Sequence, residues 1–316
     1  MYPARALCLL LLTVALSGLA ADSGSNEIPA RLGIHSDFPA PWLQSEADAE
    51  GLPEHTQRYS WLFPRVEADR PDERTGPLVH YLYLVPKDGV DQRLDELGVL
   101  EVSIRAQMNW LRQQDNVHFR IDTYSFGGGG PDVQMQAADI TFVRSDKTVA
   151  ELTDTFALRD ELIARGFDDP QKKYITYVSG GDSSCGSAIV SLGGGGGEYA
   201  AVWLVTHPAC RMQEFAEDPG APSYPESTAV HEALHLLGAV QPGAPHFCLN
   251  GNIGHVCTPA LHAVEDLDPE EVDVMFPYAG EKLADELLDR DRDDYYGHSW
   301  SHLDDVADSP WWEPAP

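Results

Sequence analysis

The sequence predicts an α/β (α+β) domain on a mixed, mostly parallel sheet, with a long backing helix and a second helix carrying a metal-binding motif. Three observations predict it. From residue 78 onward, β-rich runs alternate with segments of helical spacing. Strands and helices follow one another along the chain rather than in separate blocks, which favours crossover connections. The pentapeptide His231-Glu232-Ala233-Leu234-His235 lies within a helix-compatible run, PESTAVHEALHLLG.

The elements follow in order. Residues 78–86 (LVHYLYLVP) are rich in β-branched, aromatic and large aliphatic side chains and read as a strand. Residues 91–114 place Leu94, Leu97, Val102, Met108 and Leu111 at roughly helical spacing, which predicts a long amphipathic helix. Strands are expected over 117–124, 139–143, 173–178 and 200–206. A second helix is expected over 153–165, with Gly166 as its stop. The glycine runs at 127–130 and 193–197 read as loops, because neither carries a phosphate-binding pattern. The Trp311-Trp312 pair is expected to pack onto the domain.

The chain start predicts export. Arg5 precedes the apolar run Ala6–Leu16, followed by the small residues Ser17, Gly18, Ala20 and Ala21. That is the layout of a secretory signal peptide over 1–20, cut after Ala20 or Ala21. The run is too short for a membrane span of about 20 residues, and no second run of that kind follows. Residues 21–76, rich in Pro, Ala, Glu and Asp, read as an N-terminal extension or propeptide, and 77–316 as the functional domain.

Composition narrows the partners. The formal charge of -30 over 316 residues repels nucleic acid and anionic membranes, and favours a soluble chain that tolerates cations. Nothing suggests more than a monomer. Cys8 leaves with the signal peptide, and Cys185, Cys210, Cys248 and Cys257 remain. In an oxidising compartment they imply two disulfides out of three possible pairings, and proximity favours Cys185–Cys210 and Cys248–Cys257.

The chemistry concentrates at residues 231–235. Histidines four apart share one helix face, about 6 Å apart along the axis, so two imidazoles can converge on one tetrahedral ion. Zinc lowers the pKa of a bound water to about 7, and the Glu232 carboxylate is placed to take that proton. A pair of surface histidines would satisfy the same five letters, so the motif needs support. Gly238 gives HExxHxxG and can turn the chain out of the helix. Downstream, Asp273-Val274-Met275-Phe276-Pro277-Tyr278 is a methionine-bearing turn, and several histidines lie between.

These features resemble the metzincin clan of zinc peptidases, whose pattern is HExxHxxGxxH followed by a Met-turn. The sequence departs from it at Gln241, where a third histidine ligand is expected, and a neutral amide is a poor zinc ligand. His246, His255 and His262 are the candidates for that place. The segments Gly238-Ala239-Val240-Gln241, Ala244-Pro245, Gly254-His255 and Asp273-x-Met275 are similar to a group of secreted bacterial metzincin-like proteins. So are the VHYLYLVP strand, Asn109-Trp110, FRIDTY and a downstream Asp-Asp-Tyr-Tyr, and the similarity covers roughly residues 78–310. In that group the Gly-His histidine is the matching one, which favours His255, with His246 second. A Cys248–Cys257 disulfide would also pin the loop that carries His255. The resemblance implies a zincin-like fold, Met275 as an apolar floor under the ion, and Tyr278 as a residue that could reach the ion or an oxyanion.

Weaker signals remain. Asp289, Asp291, Asp293 and Asp294 could bind Ca2+, but the glycine and closing glutamate of an EF-hand are missing, and a solvated helix end fits better. His298 and His302 could join a second metal site. The expected activity is zinc-dependent peptide-bond hydrolysis, with His231, His235 and His255 as ligands and Glu232 as general base. The edge strand for substrate is placed at 200–206. The alternatives are a zinc amidase or esterase acting on a small or cell-wall substrate, and a non-catalytic secreted zinc-binding protein.

Overall fold

The computed structural model describes residues 64–127, 134–181, 184–189, 198–204, 210, 224–249, 254–257, 272–277 and 283–315. The expected signal peptide, most of the expected N-terminal extension, His262 and Tyr278 lie outside the described residues.

The chain forms a mixed α/β structure around a five-stranded sheet. Its strands are β1 (Leu78–Val85), β5 (Ile140–Arg144), β6 (Lys172–Val178), β7 (Gly186–Ala188) and β8 (Tyr199–Trp203). The order is β5-β1-β6-β8-β7, with the first four parallel and β7 antiparallel to β8. Strands β1 and β6 are buried along their whole length, as expected of a parallel sheet covered on both faces.

Alternation along β1 sorts its side chains between two cores. Val79, Tyr81, Tyr83 and Val85 face helices α1 (Val99–Asp115) and α3 (Tyr224–Leu236), meeting Leu100, Ile104 and Leu111 of the first and Val230 and Ala233 of the second. Leu82 and Leu84 point the other way, towards Leu158 and Leu162 of α2 (Thr155–Ala164). The buried tyrosines need partners for their hydroxyls, and Gln107 of α1 supplies them. It accepts from Tyr81 Oη (3.2 Å) and donates to Tyr177 Oη (2.7 Å), so one amide fixes α1 on the sheet.

Two expected elements differ. Helix α1 begins at Val99 rather than at residue 91, because Gly98 takes φ 71° and Asp91 and Asp95 are drawn aside by the Arg65 guanidinium. The strand expected over 117–124 is two short ones, β2 (Val117–Phe119) and β3 (Thr123–Gly127), separated by a tight turn in which Ile121 N–H donates to the Phe119 carbonyl. β3 pairs with β4 (Gln134–Ala138). The end of α2 is as expected, with Gly166 at φ 90°.

Two further pairs complete the fold. β9 (Val272–Asp273) runs beside β10 (Glu286–Leu287), and β11 (Trp312–Pro314) pairs with β2. Trp312 stacks on Phe119 at 4.6 Å between centroids, so this tryptophan closes the C-terminus onto the domain. The disulfides are Cys185–Cys210 and Cys248–Cys257.

The acidic stretch after β10 is organised by one side chain. The buried Asp289 carboxylate accepts backbone N–H groups of Asp293 (3.2 Å), Asp294 (3.1 Å), Tyr295 (2.7 Å) and Tyr296 (2.6 Å). Removing it strands several buried donors. Asp289→Ala should therefore lose about 2–4 kcal/mol of stability in urea unfolding, taking about 1–3 kcal/mol for each uncompensated group with partial rehydration. A loss under about 0.5 kcal/mol, the range of ordinary surface changes, would show that this carboxylate does not organise the segment.

Candidate metal centre

Helix α3 carries the first part of the site. Pro225 stands in its first turn, where a missing N–H costs nothing. Every residue from Pro225 to Leu236 is buried, so α3 is a central helix rather than a surface one. It stops at Gly238, whose φ of 86° lets Ala239 N–H return to the Leu234 carbonyl at 3.0 Å. The chain leaves towards the loop that returns with His255.

That loop is a small disulfide-closed clasp. Phe247 and Val256 form an antiparallel bridge. Cys248 N–H donates to the His255 carbonyl (2.9 Å) and Cys257 N–H to that of His246 (2.6 Å). The Cys248–Cys257 bond ties the ends together, and Gly254, with φ 86°, turns the chain just before His255.

Three imidazoles meet between helix and clasp. His231 Nε2 lies 3.1 Å from His255 Nε2 and 3.1 Å from His235 Nε2, and the three ring centroids are 4.7–4.9 Å apart. His231 Nδ1 donates to the Val274 carbonyl at 2.6 Å, which leaves its Nε2 lone pair facing the other two rings. Burial, reinforced by His255, holds the His231 pKa down to about 3, and burial with both neighbours holds His235 well below the ordinary value. His231 and His235 are therefore neutral, and the Nε2 atoms of all three rings converge, which is the arrangement a metal requires of histidine. Tetrahedral bonds of about 2.0–2.1 Å set ligand nitrogens about 3.3 Å apart, close to the spacing seen here. The donor set fits a metal ion, and the three residues form a group that could hold one.

Glu232 lies on the same helix, buried, and burial pushes its carboxyl up to about 8. Strand β7 runs against it. A Cβ added at Gly186 would lie 2.5 Å from Glu232 Oε1 and 2.4 Å from Thr228 Cγ2. The glycine therefore makes room for the carboxylate.

Against His231 and the clasp lies the turn Asp273–Phe276, closed by Phe276 N–H on the Asp273 carbonyl at 2.9 Å. Met275 is fully buried, and its carbonyl accepts Val256 N–H at 3.0 Å. The turn thus holds His231 through Val274 and the His255 clasp through Met275. Asp273 supports it, with Oδ1 accepting from Met275 N–H (2.7 Å) and Tyr295 Oη (3.1 Å).

The other expected residues are placed elsewhere. His246 is not beside the three rings; its N–H and Nδ1 both bond the Asp294 carboxylate, at 2.7 and 2.9 Å. With Asp293 and Asp294 it forms a second group of converging ligand atoms. Gln241 spends its amide on backbone, donating to the Asp304 carbonyl at 3.2 Å. The calcium reading of the acidic stretch changes, because Asp289 is committed to backbone amides and Asp294 to His246. His298 and His302 join neither group. A third cluster, Asp69, His80, Asp122 and Asp139, is occupied by the cations of Lys172 and Arg70.

The edge strand also differs from expectation. β8 is hydrogen-bonded on both sides, and the strand at that end of the sheet is β7. Its sequence, Gly-Ser-Ala, carries no β signal, so only the pairing reveals it. Gly186 has no sequence signature either, and Asp273 and Asp294 are marked only as parts of the Asp273-x-Met275 and Asp-Asp-Tyr-Tyr segments, without the contacts they make.

The chain matches no protein-family model and no curated protein.

Two predictions follow from these contacts. Gly186→Ala should displace Glu232 and cost about 1–3 kcal/mol, the range for overpacking; urea unfolding with unchanged stability would show that the contact relaxes freely. Burial depresses His246, but the hydrogen bond and charge of Asp294 outweigh it and hold its pKa above the ordinary value. A raised folded-state pKa stabilises below the unfolded value of about 6.5, and that contribution is lost as pH rises through the folded value. The melting-temperature advantage of the natural protein over His246→Gln should thus be largest near pH 6 and shrink above pH 7. An advantage that grows with pH would contradict the pairing.

Proposed function

We propose that the protein is an exported zinc-dependent metallopeptidase of metzincin-like type. The observation that carries this reading is the convergence of three imidazoles, two of them on a helix that also carries the buried Glu232. A purely structural metal site has no use for Glu232. His231, His235 and His255 would hold the ion, which supplies Lewis acidity and lowers the pKa of a water at the site.

The chain's own residues supply the rest. Glu232 takes a proton from the attacking water and hands it to the departing amine nitrogen. Its buried setting gives that carboxyl a greater proton affinity than a surface glutamate has, and the positive charge of a bound ion would draw it back towards the ionised form that a base requires. The turn at Val274 and Met275 fixes His231 and the clasp that carries His255 through its backbone carbonyls. Strand β7 offers an extended edge beside Glu232. Cys185 and Ile189 bond inward to β8, so alternation turns the N–H and C=O groups of Gly186 and Ala188 outward. An extended polypeptide can add there as a further strand. That favours a peptide over a compact ester or small amide.

Export accords with the two disulfides, which persist in oxidising compartments. Among the described residues no helix is long and apolar enough to cross a membrane.

The test pairs metal analysis with peptide-library digestion. The natural protein should carry about one zinc per chain and cleave peptides. Glu232→Gln should retain the zinc and lose at least about 100-fold in rate, the scale of general-base catalysis. His255→Ala should lose zinc, whereas His246→Ala should keep it. Zinc-loaded natural protein that cleaves no peptide in a broad library would contradict the peptidase reading.

A further inference from the structure

Residues 64–76 belong by sequence to the extension that could be removed on maturation. The structure assigns them instead to the mature domain, and we propose that any maturation cleavage falls before Arg65 and leaves this segment in place. The inference does not depend on the catalytic reading.

The segment finishes the sheet. Val66 forms a parallel bridge with Thr141 of β5, and its carbonyl accepts Phe142 N–H at 2.7 Å. β5 is the end strand on that side, so the segment covers part of an otherwise open edge.

Charge pairing then fixes it at four places. Arg65 bonds Asp91 (2.5 Å) and Asp95 (2.6 Å), and its guanidinium lies 3.7 Å over the Phe142 ring. Arg70 pairs with Asp139, whose side chain is 2% exposed, and covers the Tyr124 ring at 4.0 Å. Lys172, also 2% exposed, reaches Asp69 (2.7 Å) and Asp72 (2.6 Å) from the segment and Asp122 (2.8 Å) from the domain. Arg74 pairs with Glu313 near the C-terminus, and the Glu73 carboxylate accepts Ser125 N–H and Oγ–H, both at 2.7 Å.

These are not surface pairs that solvent can replace. With the segment in place Lys172 and Asp139 are buried, and each has partners on it. Loss of the segment would leave Asp139 without Arg70, and would leave Asp122 to serve both Lys172 and His80. Breaking a buried pair by removing one partner is strongly destabilising, unlike loss of an exposed pair. A cut inside 65–76 would therefore cost stability at several places together.

Trypsin reads this directly, because the Arg65–Val66 and Arg74–Thr75 bonds are both of the kind it cuts. The full chain is exported from a secreting host, its N-terminus is sequenced, and the folded product is treated with trypsin and weighed by mass spectrometry. The exported product is expected to begin at or before residue 65. Both bonds should outlast by at least tenfold the same bonds in urea-unfolded protein. A Lys172→Met chain, if it folds, should be cut at Arg74–Thr75 faster than the natural one. A folded product beginning at residue 66 or later, or rapid native cutting at either bond, would overturn the proposal whether or not that variant folds.

Discussion

The hydrogen bond from His231 Nδ1 to the Val274 carbonyl is the contact on which the arrangement of the site depends. It joins the central helix to a turn that also holds the His255 clasp, through Val256 N–H on the adjacent Met275 carbonyl. Two successive carbonyls therefore set the relative position of imidazoles 24 residues apart in sequence. The same bond fixes the tautomer of His231 and leaves its Nε2 as an acceptor. Asp273 underlies this junction, because its carboxylate holds the turn's own amide and the Tyr295 hydroxyl.

The remainder of the fold supplies rigidity around that junction. The parallel strands place α3 across the sheet, and complete burial of α3 leaves its imidazoles little freedom to rotate away. Behind the clasp, Asp294 grips His246 while Asp289 gathers the amides that put Asp294 in place. The acidic stretch therefore works mainly as an internal scaffold. The net charge of -30 coexists with a folded chain partly because many described carboxylates accept backbone N–H groups or face arginine and lysine.

Residues 231–238 were legible in the sequence because their chemistry is local. Four-residue spacing on a helix puts two imidazoles together wherever the helix lies, and Gly238 marks its end. The parallel sheet was legible from β-rich runs separated by helical periods. His255 could be favoured over His246 only through a resemblance and a disulfide bracket, since ligand choice here depends on which loop reaches the turn. Nothing in the letters GSA identifies β7, because its strand character comes from pairing with β8 and its importance from Glu232 alongside. The attachment of residues 64–76 was equally hidden. Their Pro and charge content suggests a leader, and only the positions of Asp139 and Lys172 show what the charges meet.

The central claim is that His231, His235 and His255 bind one metal ion through their Nε2 atoms. X-ray absorption spectroscopy of the purified, metal-replete protein tests it directly. The expected spectrum is that of a single metal per chain with three imidazole nitrogens at about 2.0–2.1 Å and oxygen completing the shell, the pattern of an open zinc site. A sulfur-rich shell, fewer than three imidazoles, or an unchanged spectrum in His255→Ala would contradict the account.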